Sequence, residues 1–199
     1  GGLLGRDRPR GCQRVGEHRS TAVVPSTAPT IECSCRLGDD RRPSARTQKL
    51  REIFDRAGIR ATIPPDIHVS LWEKLLFVVP FGGVGAVTRV PIGTIRTVPQ
   101  TRGMLRSAME EIHAVGRGRG VALPDDAVAK GMSFLDALDA TGTTSLQRDI
   151  TEGRPSELEA WNGAVVRLGR EAGVATPTHE FLYVSLLPLE RRARGLTTA

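Results

Sequence analysis

The composition of the chain changes near Ser44, and this change limits where a folded core can form. The residues before it are rich in Arg, Pro, Ser, Thr and Gly, with two short β-like runs at 21–24 and 30–35. Such a segment has too little apolar surface to close a core of its own. We therefore predict that residues 1–43 form a basic, poorly ordered, irregular or weakly β segment, and that the rest of the chain is mainly α.

After Ser44, apolar residues recur at helical spacing. A helix over 45–57 should end at Gly58, followed by a short strand over 59–63. Asp66 can cap a second helix that runs through Lys74 toward Pro80, where proline should end or kink it. The remaining predicted helices cover 101–117, 125–138, 156–173 and 178–194. The expected units are a helix plus strand at 44–65, a helical domain at 66–195 and a tail at 196–199.

Two local signals refine these helices. Ser156 and Glu159 have the S-x-x-E spacing of a capping box, which predicts a helix start, and Pro188 predicts a bend in the last helix. The glycine-rich stretch 82–86 permits close approach of the backbone, either to another helix or to a ligand.

The distribution of charge argues against several classes of partner. Residues 1–47 hold nine arginines and five acids, so they account for +4 of the formal net charge of +6. No aromatic residues are interleaved with these arginines, and no recognition motif is present, so nucleic acid is an unlikely partner. A basic arm that tethers nucleic acid is kept as a minor alternative. Glu73, Lys74 and Pro80 interrupt the longest apolar stretches, which predicts no membrane span.

The beginning of the chain has no signal-peptide pattern, so a cytoplasmic location is expected. The cysteines Cys12, Cys33 and Cys35 could join His18 as four zinc ligands, but their spacing does not match the usual structural zinc sites. We expect free, reduced thiols and no metal site.

Lysine is rare in this chain, and one lysine lies in an apolar run. The chain has 25 arginines but only three lysines, at 49, 74 and 130. Lys74 lies within Leu-Trp-Glu-Lys-Leu-Leu-Phe-Val, residues 71–78. An ammonium group can be tuned to release a proton near neutral pH, whereas a guanidinium stays charged. Lys74 is therefore a candidate general acid; the alternative is a lysine whose stem lies on apolar surface while its head reaches water.

Two further polar residues are candidates for a binding site. Ser145 and Glu157 lie twelve residues apart across a predicted loop, so both could face one cleft from two helix starts. The hydroxyl could hold a substrate carboxylate or carbonyl, and the carboxylate could orient a hydroxyl or a cofactor. The alternative is that Thr144, Ser145, Ser156 and Glu157 are all helix caps.

At these positions the chain resembles the ketopantoate reductase (2-dehydropantoate 2-reductase) family. The resemblance rests on four motifs in a specific order, which are Leu-Trp-Glu-Lys-Leu at 71–75, Pro-Ile-Gly at 91–93, Thr-Ser-Leu-Gln-Arg-Asp at 144–149, and Gly-Arg-Pro-Ser-Glu-Leu-Glu at 153–159 with Asn-Gly at 162–163. It implies the helical C-terminal domain of the ketopantoate reductase and 6-phosphogluconate dehydrogenase type.

The resemblance also implies an activity and its site. Family members reduce a 2-oxo acid with NADPH, in pantothenate biosynthesis the conversion of 2-dehydropantoate to pantoate. Lys74 matches the family's proton-donating lysine, Ser145 its substrate-binding serine, and Glu157 its glutamate near substrate and cofactor. A homodimer is a further implied possibility.

The chain departs from the family pattern at two places. Asparagines that hold the substrate would fall at positions occupied here by Val78, Gly82 and Ile92. Their loss puts ketopantoate itself in doubt and predicts a more apolar cleft.

The second departure concerns the cofactor. The family's nucleotide-binding fingerprint, a strand followed by G-x-G-x-x-G and a helix, has no counterpart in residues 1–47. We expect a truncated or frame-disturbed product in which 44–65 is a remnant of the nucleotide-binding domain. The alternative to a reductase is a noncatalytic helical remnant or dimerisation module.

Overall fold

The computed structural model describes residues 30–32 and 44–196, and in this part of the chain the fold is mainly α, as predicted. The predicted β-like run at 21–24 and the three cysteines lie outside the described residues. The helices are α1 (Ala45–Arg56), α2 (Ile67–Thr88), α3 (Ile92–Thr97), α4 (Pro99–Gly118), α5 (Ala127–Ala137), α6 (Ser145–Thr151), α7 (Ala164–Ala172) and α8 (Pro177–Ala193).

A small β-α-β unit precedes the helical domain. Strand β1 (Thr30–Glu32) pairs in parallel with β2 (Arg60–Thr62), and α1 connects them. Ser44 begins α1 with a capping box: its hydroxyl accepts a hydrogen bond from the Thr47 backbone N–H at 3.3 Å, and the Thr47 hydroxyl accepts one from the Ser44 N–H at 2.8 Å. Both strands lie within the runs at 30–35 and 59–63 that the sequence predicted.

The central element is α2, which runs without interruption for 22 residues. Pro80 was predicted to end or kink this helix, and the prediction that it ends there is wrong. Proline removes one backbone hydrogen bond. Residues 79–86 are all buried, so packing on every side holds the helix together.

The glycines of α2 serve helix packing. A Cβ atom at Gly82 would lie 3.0 Å from Leu146 Cδ2, and one at Gly85 would lie 2.6 Å from Gln147 Oε1. At Gly83 it would lie 2.8 Å from Asn162 Nδ2. Helix α6 and the segment around Asn162 therefore contact the backbone of α2, which favours the packing interpretation of 82–86 over the ligand interpretation.

By length and composition, α2 is apolar enough to cross a membrane, but half of its apolar window is buried inside the domain. Core helices of water-soluble domains pass the same test. Helices α4, α5, α6 and α8 pack on α2, and the buried residues lie mainly in its second half.

One predicted helix start is wrong. A π-helix at Glu159–Gly163 leads directly into α7, and the segment 156–158 is not part of either. The capping box is absent because Glu159 binds elsewhere: its carboxylate accepts hydrogen bonds from Arg167 and from the Tyr183 hydroxyl, both at 2.6 Å. Arg167 and Tyr183 therefore bind the Glu159 carboxylate in place of the Ser156 backbone N–H that a capping box would use.

Helix α3 was not predicted, because six residues carry too little periodic signal. Ile92 and Ile95 are fully buried. Arg96 donates to the backbone carbonyls of Leu135, Asp136 and Leu138 at 2.8–3.0 Å, so it satisfies the free carbonyls at the end of α5.

We expect Gly83→Ala to lower the free energy of unfolding by about 1–3 kcal/mol, because the new methyl group overpacks against Asn162 and Leu182. The matched control is Gly103→Ala in α4, where nothing lies within 4 Å of the new Cβ. That change should stabilise the protein by about 0.5–1 kcal/mol through helix propensity. Urea unfolding of both variants measures the difference; equal effects would contradict the packing role of Gly83.

Candidate functional site

Lys74 lies in a cavity between α2 and α5. It is an exposed residue in the first half of α2, where the helix is only partly covered. The cavity has a volume of about 640 Å³, and the last residue of β2 and the segment after it contribute to its lining. Its lining consists of Thr62, Pro64, Ser70, Leu71, Glu73, Lys74, Phe77, Ala127, Lys130, Gly131 and Phe134. A cavity of this size suits a small organic molecule.

The cavity combines charged and aromatic groups. Lys74 and Lys130 provide two ammonium groups from two different helices, and Glu73 provides one carboxylate. Phe77 and Phe134 contact each other, with ring centroids 4.5 Å apart and ring planes inclined by 48°. The site can therefore bind an anion and an apolar group at the same time.

Gly131 brings α5 close to α2. A Cβ at this position would lie 2.8 Å from Leu76 Cδ2 and 3.3 Å from Met109 Sδ. The absence of a side chain lets the two helices approach, and this approach places Lys130 on the same cavity as Lys74.

Ser145 and Glu157 do not line this cavity. Ser145 is exposed in the first turn of α6, and the cap of that helix is Thr144, whose hydroxyl accepts from the Gln147 N–H at 3.1 Å. Glu157 is also exposed and precedes the π-helix. Of the four residues that could have been caps, only Thr144 caps a helix.

The residue beside Glu157 belongs to a buried polar cluster. The Glu190 side chain, from α8, accepts hydrogen bonds from the Ser156 hydroxyl at 2.5 Å and from the Ser156 N–H at 3.0 Å. Arg194 donates to Glu190 at 2.6 Å and to the Ser156 carbonyl at 2.7 Å. This cluster attaches the loop that carries Glu157 to α8. The sequence showed no sign of it, because the partners are 34 residues apart.

The positions expected to carry substrate-binding asparagines are apolar and mostly closed. Ile92 is fully buried, and Gly82 lies beneath Leu146 and Trp161. Val78 is half-buried against the main core. Side-chain packing occupies the space that amide groups would use, and none of the three positions lines the cavity beside Lys74.

Asn162, the single asparagine of the chain, is buried in a structural position. Its Nδ2 lies 3.2 Å from His179 Nδ1, and His179 Nε2 lies 3.0 Å from the carbonyl of Ala108, which assigns the proton to Nε2. Glu111 of α4 accepts from the His179 N–H and therefore caps the start of α8. Asn162 joins α2, α4 and α8 rather than facing the Lys74 cavity.

The comparison with protein families decides the ancestry of this domain. Residues 66–190 match the family model described as ketopantoate reductase PanE/ApbA C terminal. The chain belongs to the ketopantoate reductase family. This confirms the resemblance stated from the four motifs and the helical C-terminal fold class.

Individual relatives agree with the family match. A 2-dehydropantoate 2-reductase from Mesorhizobium japonicum is 32% identical over 151 residues, which are 75% of this chain and 44% of that protein. The structure of a PanE/ApbA family ketopantoate reductase from Ralstonia eutropha aligns with a TM-score of 0.69 at 28% identity, over 77% of this chain and 51% of that one. The chain thus spans about half the length of the relatives it matches.

A second similar structure has a different activity in its name. D-mandelate dehydrogenase, solved with NADH and anilino(oxo)acetate, aligns with a TM-score of 0.69 at 24% identity, over 79% of this chain and 51% of that one. At this identity the similarity shows the fold alone.

The described residues do not fit a dinucleotide. A pyrophosphate site needs a glycine-rich loop whose backbone N–H groups point at the phosphates from a helix start. The helix of the β-α-β unit begins instead with the Ser44–Thr47 capping box, which uses the N–H groups of both residues. Within 30–32 and 44–196 there is also no cluster of His, Cys, Asp or Glu that could hold a metal ion.

We expect the stability to fall as the pH drops below about 6.5, because burial lowers the pKa of His179 below its ordinary value. Below that pH the His179 imidazole binds a proton in the unfolded chain more readily than in the folded chain. The free energy of unfolding should fall by at most about 1.4 kcal/mol per pH unit from this group. The slope is measured by urea unfolding between pH 7.5 and 5 and should flatten in His179→Gln but persist in His68→Gln; an unchanged slope in His179→Gln would contradict the assignment.

We expect Glu190→Ala to lower the free energy of unfolding by about 3 kcal/mol, because it leaves the buried Ser156 groups and Arg194 without their acceptor. Glu180→Ala, which removes an exposed carboxylate from the first turn of the same helix, should cost less than about 1 kcal/mol. Hydrogen exchange should also become faster at 156–158. A loss no larger than that of the control would argue against the cluster.

Proposed function

We propose that this chain forms the substrate side of a nicotinamide-dependent 2-oxo acid reductase of the 2-dehydropantoate type. The observation that supports this most is that Lys74 lines a cavity of ligand size, and its place in Leu-Trp-Glu-Lys-Leu resembles that of the family's proton donor. Reduction of a ketone to an alcohol needs one proton for the alkoxide that forms, and a lysine ammonium can supply it. Lys74 is the proposed donor.

Ser145 and Glu157 are the other proposed site residues. Both are exposed at the starts of neighbouring segments, so their side chains are free to meet a substrate or cofactor. The Glu190 cluster restrains the backbone next to Glu157, which supports a role that requires a fixed position. The proposed role of Ser145 is to donate a hydrogen bond to the substrate.

NADPH is the proposed source of the hydride, because the family resemblance implies it. The described residues form no site for its pyrophosphate. A small 2-oxo acid is the proposed substrate, with pantoate formation in pantothenate biosynthesis as the family's reaction. A homodimer in the cytoplasm is the proposed setting.

A second candidate is a noncatalytic helical module. It is favoured by the Ser44–Thr47 capping box at the start of α1 and by the absence of a glycine-rich phosphate loop among the described residues. Titration of the 199-residue chain with NADPH and NADH separates the two candidates, because the module has no need to bind either.

We expect Lys74→Ala to lower kcat for reduction of 2-dehydropantoate by about 100-fold to 10,000-fold, because it removes the proton donor. Lys74→Arg should be equally impaired, since a guanidinium keeps the charge but does not release its proton. Lys49→Ala in α1 is the control and should retain full activity. The assay follows NADPH oxidation; unchanged turnover in Lys74→Ala would refute the acid role, and no NADPH binding by the original chain would favour the helical module.

A further inference from the structure

The cavity between α2 and α5 combines features that helix packing does not require. Two lysines and two phenylalanines line one volume of about 640 Å³, and the two phenyl rings contact each other. We propose that this cavity binds a small aromatic carboxylate, with Lys130 contacting the carboxylate and the Phe77–Phe134 pair contacting the ring. The inference deepens the proposed function, on which it rests, by assigning an aromatic 2-oxo acid as the substrate class.

Lys130 can exchange its present partner for a ligand. It pairs with Asp126 at 3.0 Å, one helical turn away, and the two side chains are 66% and 59% exposed. Such exposed pairs within a helix contribute little to stability, so a bound carboxylate competes easily. Lys74 and Lys130 together outnumber the single acid of the lining, Glu73. A bound carboxylate that displaces Asp126 from Lys130 would therefore meet two ammonium groups and one carboxylate of the lining.

The aromatic pair provides the apolar half of the site. Phe134 is 45% exposed although it is a large apolar side chain, and it lies against Phe77 at 4.5 Å between centroids. Leu71 and Pro64 extend this apolar surface within the lining. A planar ring of a ligand placed on these groups would remove them from water. A short polar acid would bury less apolar surface and would therefore bind more weakly.

The positions at which substrate-binding asparagines were expected point to the same ligand class. Ile92 is fully buried and Gly82 is covered by Leu146 and Trp161, so neither position offers hydrogen bonds to the hydroxyl groups of a polar acid. A ligand that relies on one carboxylate and one apolar ring needs no such bonds. Lys130, on α5, then takes over the task of anchoring the acid.

The test is a calorimetric titration of the 199-residue chain with phenylglyoxylate, an aromatic 2-oxo acid, in the absence of any nucleotide. We expect saturable binding with a Kd of about 1 mM or tighter, which is typical of a ligand of this size. Lys130→Met should raise the Kd about 10-fold by removing the charged contact. Lys49→Met, the matched control in α1, should leave the Kd unchanged.

Two further measurements separate the ring from the charge. Phe134→Ala removes an exposed ring and should weaken phenylglyoxylate about 3-fold to 10-fold without unfolding the protein. Pyruvate, which has the same 2-oxo acid group but no ring, should bind at least about 10-fold more weakly than phenylglyoxylate. Equal affinities for the two acids would overturn the aromatic assignment.

Other results would overturn the site as a whole. One such result is that phenylglyoxylate shows no saturable binding up to about 10 mM. The other is that Lys130→Met and Lys49→Met raise the Kd equally. The outcome is independent of the reductase assay. Phenylglyoxylate binding without NADPH oxidation would support the binding site and refute the proposed reaction. Reduction of 2-dehydropantoate without phenylglyoxylate binding would support the reaction and refute the aromatic binding site.

Discussion

The whole domain depends on the close approach that the second half of α2 allows to its neighbours. Gly82, Gly83 and Gly85 present bare backbone, and side chains from α6, the π-helix and α8 occupy the space where Cβ atoms would lie. This contact compensates for the hydrogen bond that Pro80 removes, because dense packing on all sides leaves the helix no room to bend away. A helix that would be weak in isolation is thereby the centre of the fold.

The two halves of α2 serve different purposes. The second half is buried and organises the core, whereas the first half is partly covered and contributes Leu71, Lys74 and Phe77 to the cavity. Because both belong to one rigid element, the packing of the glycine half fixes the position of Lys74. Gly131 has the equivalent effect on α5, where the approach to Leu76 sets the position of Lys130. Small residues thus determine the geometry of the charged ones.

The residues of the family motifs also divide into buried and exposed ones. Asn162 and Ser156 belong to the fourth motif, and both are buried in hydrogen-bonded clusters with residues of α8. Glu157, next to Ser156, is exposed, and so is Ser145, next to the buried cap residue Thr144. In two motifs of this chain, a buried residue that fixes the local backbone therefore stands next to an exposed one.

The sequence by itself determined the helical class, the family and most helix positions, and it marked Lys74 as a candidate general acid. It could do so because apolar periodicity, capping signals and the scarcity of a residue type are read directly from the sequence. Tertiary structure alone decided the rest. The continuity of α2 through Pro80, the π-helix in place of a capped start at Ser156, and the role of Glu190 all depend on partners distant in the chain. The same is true of the cavity, where Lys130 meets Lys74 only because α5 packs on α2, and no local pattern encodes that contact.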